Sequence, residues 1–529
     1  MLEYSVLIVL KVMSLKGKKS KLLKLIFSRT IFIVIMLCIQ IAVFFSYCVW
    51  MQEYMVYIYG GFTVLAAILA LYIINREDNP VYKLAWMVPI LVFPVFGGLF
   101  YLFIKLQLGS RILNRLIDKR VKETRPYLKQ QPQVIKKLKE EDPYVANLAT
   151  YMNSAMYFPI YENTSAKFFP LGEDKFEEMK IQLKKAKKFI FMEYFIVEEG
   201  KMWNEILDIL EEKVKEGVEV RFMYDGMCSL FKLPYNYPTV LEKKGIKCKI
   251  FSQIKPALST YQNNRDHRKI LVIDGHTAFT GGVNLADEYI NAISIYGHWK
   301  DTAIMIQGEA VKSFTLMFLQ LWDVANEKPQ SVHKFIEKID YSSVPKGEGY
   351  FMPYCDSPLD NENVGELVYL DLINTAKDYV HIMTPYLILD HEMVTALTYA
   401  AKRGVEVCII MPHIPDKKSA FYLAKTYYKE LIPTGVKIYE YLPGFVHAKE
   451  FIVDGKKAVV GSINLDFRSL YLNFECGVFL YKNPAILDME QDYQATLSRS
   501  LNITMDDYKK LPLHIKIIGS MLRFIAPLM

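Results

Sequence analysis

Two long apolar stretches lie near the beginning of the chain. Residues 31–50, IFIVIMLCIQIAVFFSYCVW, contain no charged side chain, and residues 54–75 form a second uncharged stretch. A helix that spans a bilayer needs about 20 apolar residues, and both stretches reach that length. Two buried core helices are the alternative interpretation. Because the stretches follow each other so closely, the pattern favours a transmembrane helical hairpin over residues 31–75.

The basic residues around these stretches predict their orientation. Residues 1–30 contain seven lysines and arginines and one glutamate, so the positive-inside rule keeps this basic N-terminus in the cytoplasm. A third apolar segment, residues 84–104, contains two prolines and two glycines, which disfavour a straight helix. Basic residues lie on both of its flanks, which predicts a re-entrant or interfacial segment. The rest of a multi-pass cell-membrane protein would then be cytoplasmic.

Residues 105–142 are predicted to be a basic connector. They form either a helix that lies over an anionic leaflet or an ordinary solvated helix. Beyond them the hydrophobic pattern changes to one that is typical of a globular α/β protein.

The rest of the chain repeats one pattern of strands and helices. Both copies read as a strand, an amphipathic helix, a turn at Gly217 or Gly404, and a second strand that begins Val-Glu-Val. This is the βαβ pattern of a sheet with parallel pairs. We therefore expect an α/β fold with two related units, residues 143–345 and 346–500, and a C-terminal tail of residues 501–529. The tail is either an amphipathic helix at the membrane surface or a helix packed on the second unit.

Composition narrows the class of protein. Hydrophobic residues make up 52% of the chain and charged residues 23%, which excludes a disordered chain or a coiled coil. The seven cysteines form no CxxC pair, and their odd number favours a reducing compartment. The net charge of +7 is compatible with an anionic lipid or a nucleic acid as partner. Neither a nucleotide-binding glycine loop nor a His/Cys zinc spacing is present, so the sequence implies no cofactor and no metal.

One motif occurs at the same place in both units. The first copy has His267, Lys269, Asp274, Gly281 and Asn284, at offsets of 2, 7, 14 and 17 residues from the histidine. The second copy has the same residue types at the same offsets, namely His447, Lys449, Asp454, Gly461 and Asn464. Chance does not produce two complete copies at identical spacing in a chain of this composition.

The spacing places the reactive side chains on a rigid element. Side chains alternate along an extended strand, so His267 and Lys269 share one face, as do their counterparts in the second copy. The Asp-Gly pairs at Asp274 and Asp454 are typical of a tight hairpin turn. Each aspartate is therefore either a catalytic residue or a turn residue with buried hydrogen bonds.

At these residues the chain resembles the phospholipase D superfamily, whose mark is a duplicated HxKx4Dx6GxxN motif. The resemblance extends over about residues 145–500, and both motifs are complete. It implies two pseudo-symmetric α/β/α sandwich units that share one active site. One departure is Gly282, which stands where the second copy has Ser462. The segments NPVYKLAW and PVFGGLFYLFIKLQLGS resemble the membrane-anchoring region of bacterial cardiolipin synthases, a branch of this superfamily.

Phosphodiester transfer fits these residue types. Without a metal it needs a nucleophile, a proton donor for the leaving alkoxide, and fixed positive charge around the phosphoryl oxygens. The two histidines, two lysines and two asparagines supply these functions, and Ser462 is a further candidate for phosphate binding. The resemblance implies that His267 is the nucleophile and His447 the acid, an assignment that the residues alone leave open.

Each imidazole also needs a partner on its second ring nitrogen. Asp301 and Glu475 each stand at the head of an apolar strand, and the resemblance implies that they orient the histidines. A solvent-facing acid at a strand edge is the alternative for both. The other histidines near predicted strand ends have no counterpart in the opposite copy and are expected to be structural: His298, His381 and His413.

The resemblance implies a membrane-bound phosphatidyltransferase that joins two phosphatidylglycerol molecules into cardiolipin and glycerol through a phosphohistidine. A membrane phospholipase D would use the same residues with water as the acceptor. A phosphodiesterase that acts on nucleic acid is less favoured, because it has no need of a transmembrane hairpin. Two intact motifs disfavour a non-catalytic scaffold. The expected partners are therefore phosphatidylglycerol and the membrane, without nucleic acid, and the sequence does not predict an oligomeric state.

Overall fold

The structure is a computed structural model that describes most of the chain. The described residues are 38–39, 41–42, 52–77, 79–105, 108–227, 232–234, 236–252, 264–324, 332–360 and 362–528. The basic N-terminus and nearly all of the first apolar stretch lie outside them. The chain divides into two compact units, a small one within residues 1–111 and a large one within residues 112–529.

The described part of the small unit contains three apolar helices. They are α1 Gln52–Ile74, α2 Pro80–Val92 and α3 Pro94–Lys105. Helix α2 begins where the Asn79 side chain accepts a hydrogen bond from the Val81 backbone, and it ends before Pro94, which cannot continue it. A Cβ atom at Gly97 would lie 2.3 Å from the carbonyl oxygen of Pro89, so only glycine permits this close approach of α3 to α2.

These helices correspond to the apolar stretches of the sequence. Helix α1 covers the second stretch, and the expected break in residues 84–104 falls between α2 and α3. Leu69 and Ile73 of α1 pack with Ile90 and Tyr101 in a small apolar core. No helix among the described residues combines the length and the hydropathy that a membrane crossing requires. The transmembrane hairpin and the position of residues 84–104 in the membrane therefore stay predictions.

Three helices lead into the first repeat. They are α4 Leu108–Thr124, α5 Pro132–Glu141 and α6 Pro143–Met156. The predicted basic connector is thus helical, and part of it packs on protein: Arg120 is buried and donates a hydrogen bond to the Asp323 carbonyl oxygen at 3.1 Å.

The first repeat is a mixed sheet covered by helices. Its strands are β1 Thr164–Phe169, β2 Phe189–Tyr194, β3 Glu219–Asp225, β4 Lys247–Phe251, β5 Arg265–Asp266, β6 Ile270–Ile273, β7 Thr277–Gly281, β8 His298–Lys300 and β9 Ala303–Gly308. Its helices are α7 Gly172–Lys185, α8 Lys201–Lys215, α9 Tyr237–Lys243, α10 Val311–Trp322 and α11 His333–Ile336. Seven strands form one sheet in the order β1-β9-β7-β6-β2-β3-β4, in which β2, β3 and β4 are parallel.

The second repeat has the same topology. Its strands are β10 Tyr350–Asp356, β11 Tyr379–Met383, β12 Glu406–Pro412, β13 Lys437–Tyr441, β14 Gly444–Val446, β15 Glu450–Val453, β16 Lys457–Gly461, β17 Asn473–Tyr481 and β18 Ser500–Ile503. Its helices are α12 Val364–Thr375, α13 His391–Lys402, α14 Lys418–Leu431, α15 Phe467–Tyr471, α16 Ala485–Leu497, α17 Met505–Lys510 and α18 Leu513–Ile525. The sheet order β10-β17-β16-β15-β11-β12-β13 repeats the first sheet strand for strand, and β18 adds an eighth strand beside β13. The expected pair of α/β units is confirmed.

Local features of the sequence explain why the predicted and the observed elements agree. Gly217 and Gly404 have positive φ angles of 89° and 96° and end helices α8 and α13, as their place in the pattern predicts. The Asp-Gly turns join β6 to β7 and β15 to β16 as antiparallel hairpins. Both turn residues have positive φ, 53° and 75° at Asp274 and Gly275, as a type I′ turn requires.

Candidate active site between the two repeats

Short strands that cross between the repeats bring the two motifs together. Strand β5 of the first repeat pairs with the start of β17, and β14 of the second repeat pairs with β8. The backbone N–H of His267 donates to the Phe474 carbonyl at 2.9 Å, and that of His447 donates to the Lys300 carbonyl at 2.7 Å. Each histidine therefore lies directly beside the acid-bearing segment of the opposite repeat.

Each histidine is oriented by an acid from the other repeat. His267 Nδ1 lies 2.9 Å from both carboxylate oxygens of Glu475, and His447 Nδ1 lies 2.7 Å from Asp301 Oδ2. Both acids are fully buried, so neither is a solvent-facing acid at a strand edge. A carboxylate on Nδ1 favours the tautomer with hydrogen on that nitrogen, which leaves the Nε2 lone pair available. The site is complete only when both repeats contribute.

The electrostatic surroundings keep both imidazoles neutral in the free protein. Burial lowers the pKa of His267 to about 4, against the opposing effect of Glu475. Burial and the nearby Lys449 lower the pKa of His447 to about 3, against the effect of Asp301. Burial alone would raise the pKa of Glu475, but its contact with His267 lowers it below the usual value, so this acid is ionised.

Two buried lysines accompany the histidines. Lys269 Nζ donates to the His267 carbonyl oxygen, and Lys449 Nζ donates to the His447 carbonyl oxygen. Burial lowers the pKa of Lys269 to about 8 and that of Lys449 to about 7, although the buried acids act in the opposite direction. Each ammonium retains N–H groups beyond the one that its histidine carbonyl accepts, and these can bind phosphoryl oxygens.

The two motif aspartates have a structural role at the opposite end of the strand. Asp274 accepts hydrogen bonds from the backbone N–H groups of residues 187, 188 and 189 at 2.7–2.8 Å. Asp454 accepts the equivalent bonds from residues 377, 378 and 379 at 2.8–2.9 Å. Each aspartate follows its histidine by seven positions, and the six residues between them are largely extended, which corresponds to a span of about 20 Å. Asp274 and Asp454 therefore anchor the start of the neighbouring strand, which favours the turn-residue interpretation, and a catalytic role for either stays a prediction.

The asparagines have different surroundings in the two repeats. The Asn284 side chain accepts a hydrogen bond from the Ile196 N–H at 3.0 Å and donates one to the Tyr289 hydroxyl at 2.9 Å. Asn464 is buried, and its Oδ1 has no hydrogen-bond partner among the described residues. Asn284 thus helps to fix the wall of the site, and phosphate binding by either amide stays a prediction.

The difference between Gly282 and Ser462 has a steric cause. A Cβ atom at Gly282 would lie 2.0 Å from Asp301 Oδ1 and 2.9 Å from the His447 carbonyl oxygen. In the second repeat the longer Glu475 leaves room for a side chain, and Ser462 Oγ donates to Glu475 Oε2 at 2.5 Å and accepts from the Cys476 N–H at 3.0 Å. Ser462 therefore supports the acid that orients His267. Its hydroxyl group is hydrogen-bonded to that acid, and phosphate binding by Ser462 stays a prediction.

Aromatic side chains enclose both histidines, a feature that the sequence analysis missed. The Phe195 ring meets the His267 ring edge-on at 4.9 Å, and Tyr289 meets His447 in the same way at 5.4 Å. Trp299 lies 5.4 Å from His447, between ring centroids. The corresponding positions of the second repeat carry Pro385, Ser469 and Asn473, so a comparison of the repeats gives no signal for these aromatic residues.

The three histidines that the sequence predicts to be structural have hydrogen-bond partners outside the motifs. His381 Nδ1 lies 3.0 Å from Glu490, His413 Nδ1 lies 3.0 Å from Glu440, and His298 Nδ1 lies 3.1 Å from the Tyr441 hydroxyl. Each contact satisfies a ring nitrogen within the fold.

One acidic group among the described residues has the geometry to share a metal ion. Ligand oxygens of Glu366, Asp390 and Glu392 lie within 4.8 Å of one another. The Tyr471 hydroxyl oxygen already lies within hydrogen-bond distance of two of these acids, at 2.8 Å from Glu366 Oε2 and also beside Asp390. None of the motif residues belongs to this group.

Together, two acid-oriented histidines and two buried lysines on a duplicated α/β fold define a phosphodiester-transfer site of the phospholipase D type. The family described as "Cardiolipin synthase, PLD-like domain" matches residues 179–322 and 369–497, and "Phospholipase_D-nuclease N-terminal" matches residues 64–105. The chain therefore belongs to the phospholipase D-like cardiolipin synthase family, a family of phosphatidyltransferases.

Individual relatives agree with this membership. The chain is 52% identical to an uncharacterized protein of Streptococcus mutans over 87% of this chain and 99% of that protein. It is 33% identical to a cardiolipin synthase of Alkalihalophilus pseudofirmus over 88% of this chain and 93% of that protein. The crystal structure of a phosphatidylserine synthase from Haemophilus influenzae covers 72% of this chain and 97% of its own, with a TM-score of 0.55 at 15% identity. That similarity concerns the fold.

Proposed function

We propose that this protein transfers a phosphatidyl group from one phosphatidylglycerol molecule to another, which gives cardiolipin and free glycerol. The observation that carries the proposal is the crossed pairing of His267 with Glu475 and of His447 with Asp301. This pairing makes one site with two imidazoles, and an acid on Nδ1 leaves each Nε2 lone pair available, which suits a two-step transfer. The names of the relatives support a phospholipid as the substrate.

In the first step, His267 Nε2 attacks the phosphorus atom of phosphatidylglycerol. A P–N bond forms and the P–O bond to glycerol breaks, while protonated His447 donates its proton to the departing glycerol oxygen. His447 is neutral in the free protein, because burial holds its pKa at about 3. The negative charge of a bound phosphodiester acts in the opposite direction and favours the protonated imidazole.

In the second step, a hydroxyl of the second phosphatidylglycerol molecule replaces the histidine. Neutral His447 takes the proton of that hydroxyl, the oxygen attacks phosphorus, and the P–N bond to His267 breaks. Lys269 and Lys449 stabilise the charge on the phosphoryl oxygens in both steps. Glu475 and Asp301 keep the two rings in the required tautomer. After the second step, His267 no longer carries the phosphatidyl group, and both histidines can take part in another reaction cycle.

The buried lysines predict a pH dependence. An ammonium whose pKa is lowered is charged below that pKa and loses its charge as the pH rises through it, here at about 7 for Lys449 and about 8 for Lys269. We expect kcat/KM for transfer to fall as the pH rises through this range, because the free enzyme loses the charge that binds the phosphodiester. In Lys449→Arg, which stays charged, the fall should begin at higher pH. A profile that is flat from about pH 6 to about pH 9 would contradict this account.

Exposed apolar side chains of the small unit support a location of the protein at the cell membrane. Its described helices expose large apolar side chains, among them Val64, Ile68 and Leu71 of α1 and Leu84 and Leu91 of α2. Exposed apolar surface of this extent is typical of a lipid-facing region. Release of the protein from membranes by alkaline carbonate without detergent would contradict this inference.

The test of the proposed reaction is product analysis. Purified protein should convert phosphatidylglycerol labelled in its headgroup glycerol into cardiolipin, with one labelled glycerol released for each cardiolipin formed. Phosphatidic acid as the main product would instead indicate a phospholipase D that uses water as the acceptor. A variant in which both motif histidines are replaced serves as the inactive control.

A further inference from the structure

The C-terminal helix α18 directs its apolar side chains away from the protein. Six large apolar side chains of this 13-residue helix are exposed, with Leu513 at 71% and Met521 at 69%. The complete set is Leu513, Ile517, Ile518, Met521, Phe524 and Ile525. At 100° per residue these positions fall on one side of the helix. We call this surface the α18 apolar face.

The opposite side of α18 is fixed on helix α14. Gly519 is buried, and a Cβ atom there would lie 2.5 Å from the Tyr422 carbonyl oxygen, so the two helices are in close backbone contact. Arg523 donates two hydrogen bonds to the Glu430 carboxylate, at 2.6 and 3.1 Å, and its guanidinium lies over the Tyr427 ring. This packing determines which side of α18 is turned outward. The outward side is the apolar one, the reverse of an ordinary surface helix.

The turn that follows helix α18 packs on the segment that follows the second motif. This short turn, Ala526–Leu528, packs against α15, and Ala526 is buried there. Helix α15 begins at Phe467, three residues after Asn464 of the second motif. The α18 apolar face is therefore connected through one short helix to the segment that carries the motif asparagine.

The charges around the face favour a phospholipid surface over a protein as its occupant. Lys510 ends the preceding helix α17 next to Lys509, whose Nζ pairs with Asp506 at 3.1 Å. Lys516 stands on the flank of α18, where its Nζ donates to the Lys509 carbonyl oxygen at 2.8 Å. Apolar side chains flanked by lysines are typical of helices that lie in the interface of an anionic membrane.

We propose that the α18 apolar face inserts into the surface of an anionic phospholipid bilayer, as a membrane contact separate from the small unit. The inference rests on the proposed function in one respect, namely that the substrate is a lipid. In this position α18 holds the second motif near the lipid headgroups. The phosphodiester of phosphatidylglycerol can then reach the histidines while its acyl chains remain in the bilayer.

The test measures the depth of single spin labels in the full chain. Labels are placed by Met521→Cys and, as matched controls, by Ser520→Cys at the polar edge of the same helix and Lys215→Cys at the exposed end of α8. The background has the cysteines at positions 38, 48, 228 and 355 replaced. The protein is reconstituted into vesicles of phosphatidylglycerol and phosphatidylethanolamine, and the collision rates of each label with oxygen and with a water-soluble nickel complex are measured.

At position 521 we expect loss of collisions with the nickel complex and retention of collisions with oxygen, which concentrates in the bilayer. Both control labels should keep their collisions with nickel. Nickel collisions retained at 521 would overturn the proposal, because the face would then be in water. Loss of both kinds of collision would also overturn it, because the face would then be covered by protein. The readout needs no catalysis, so it remains informative even if the product analysis contradicts the proposed reaction.

Discussion

Replacing either His267 or His447 with alanine is expected to lower phosphatidyl transfer by at least about 10³-fold. In the proposed mechanism each histidine performs a step that the other cannot replace, because each is bound to a different acid partner, Glu475 or Asp301. Because the two residues act as one unit, the double variant should be hardly less active than either single variant. Initial rates with phosphatidylglycerol vesicles provide the measurement.

A matched control separates this effect from a general loss of stability. His381 is also buried and also bonded to an acid, Glu490, yet it lies outside the motifs. The His381→Gln variant should keep most of the transfer activity. If either motif variant retained more than about a tenth of the wild-type rate, the single shared site would be the wrong description.

Replacing Gly282 with serine is expected to lower transfer by about 10²-fold or more. The new Cβ atom would lie 2.0 Å from Asp301 Oδ1, so that carboxylate must move from its place beside His447 Nδ1. Displacement of a catalytic group by about 1 Å is enough for a loss of this size. The substitution makes the first motif more like the second, so similarity of sequence alone predicts tolerance. The measurement is kcat, together with the thermal unfolding midpoint.

The reverse exchange is the control for this prediction. Ser462→Gly removes a hydrogen bond to the Glu475 carboxylate without introducing a clash. The loss of one hydrogen bond to a charged group predicts a reduction of about tenfold. Full activity in Gly282→Ser would show that Asp301 has room to move and that the difference between the motifs is incidental.

Much of the fold could be predicted because the sequence features that determine its helices and strands are local. The period of the apolar residues, the glycines at 217 and 404 and the Asp-Gly turns act within a few residues of one another, and they define the strands of both repeats. The histidines and lysines could be predicted for the same reason, since one strand carries each pair. The duplication then supplied the expectation of a second sheet with the same strand order.

The partner of each histidine could not be predicted in the same way. Both acids follow their own motif in the chain, but the pairing of β5 with β17 and of β14 with β8 exchanges them between the repeats. Such pairing depends on contacts between residues about 150 to 200 positions apart, which no local pattern encodes. The role of Ser462 depends on the same exchange. Its hydroxyl contacts Glu475 in its own repeat, and Glu475 orients His267 of the first repeat.

The most direct test of the account is to trap the covalent intermediate. In His447→Asn, incubation with phosphatidylglycerol labelled in the phosphate should leave an acid-labile label on the peptide that contains His267, because the second step lacks its base. In His267→Asn no label should be trapped. Label on the peptide that contains His447 in the His267→Asn variant, with none on His267 in the other variant, would contradict the assigned roles.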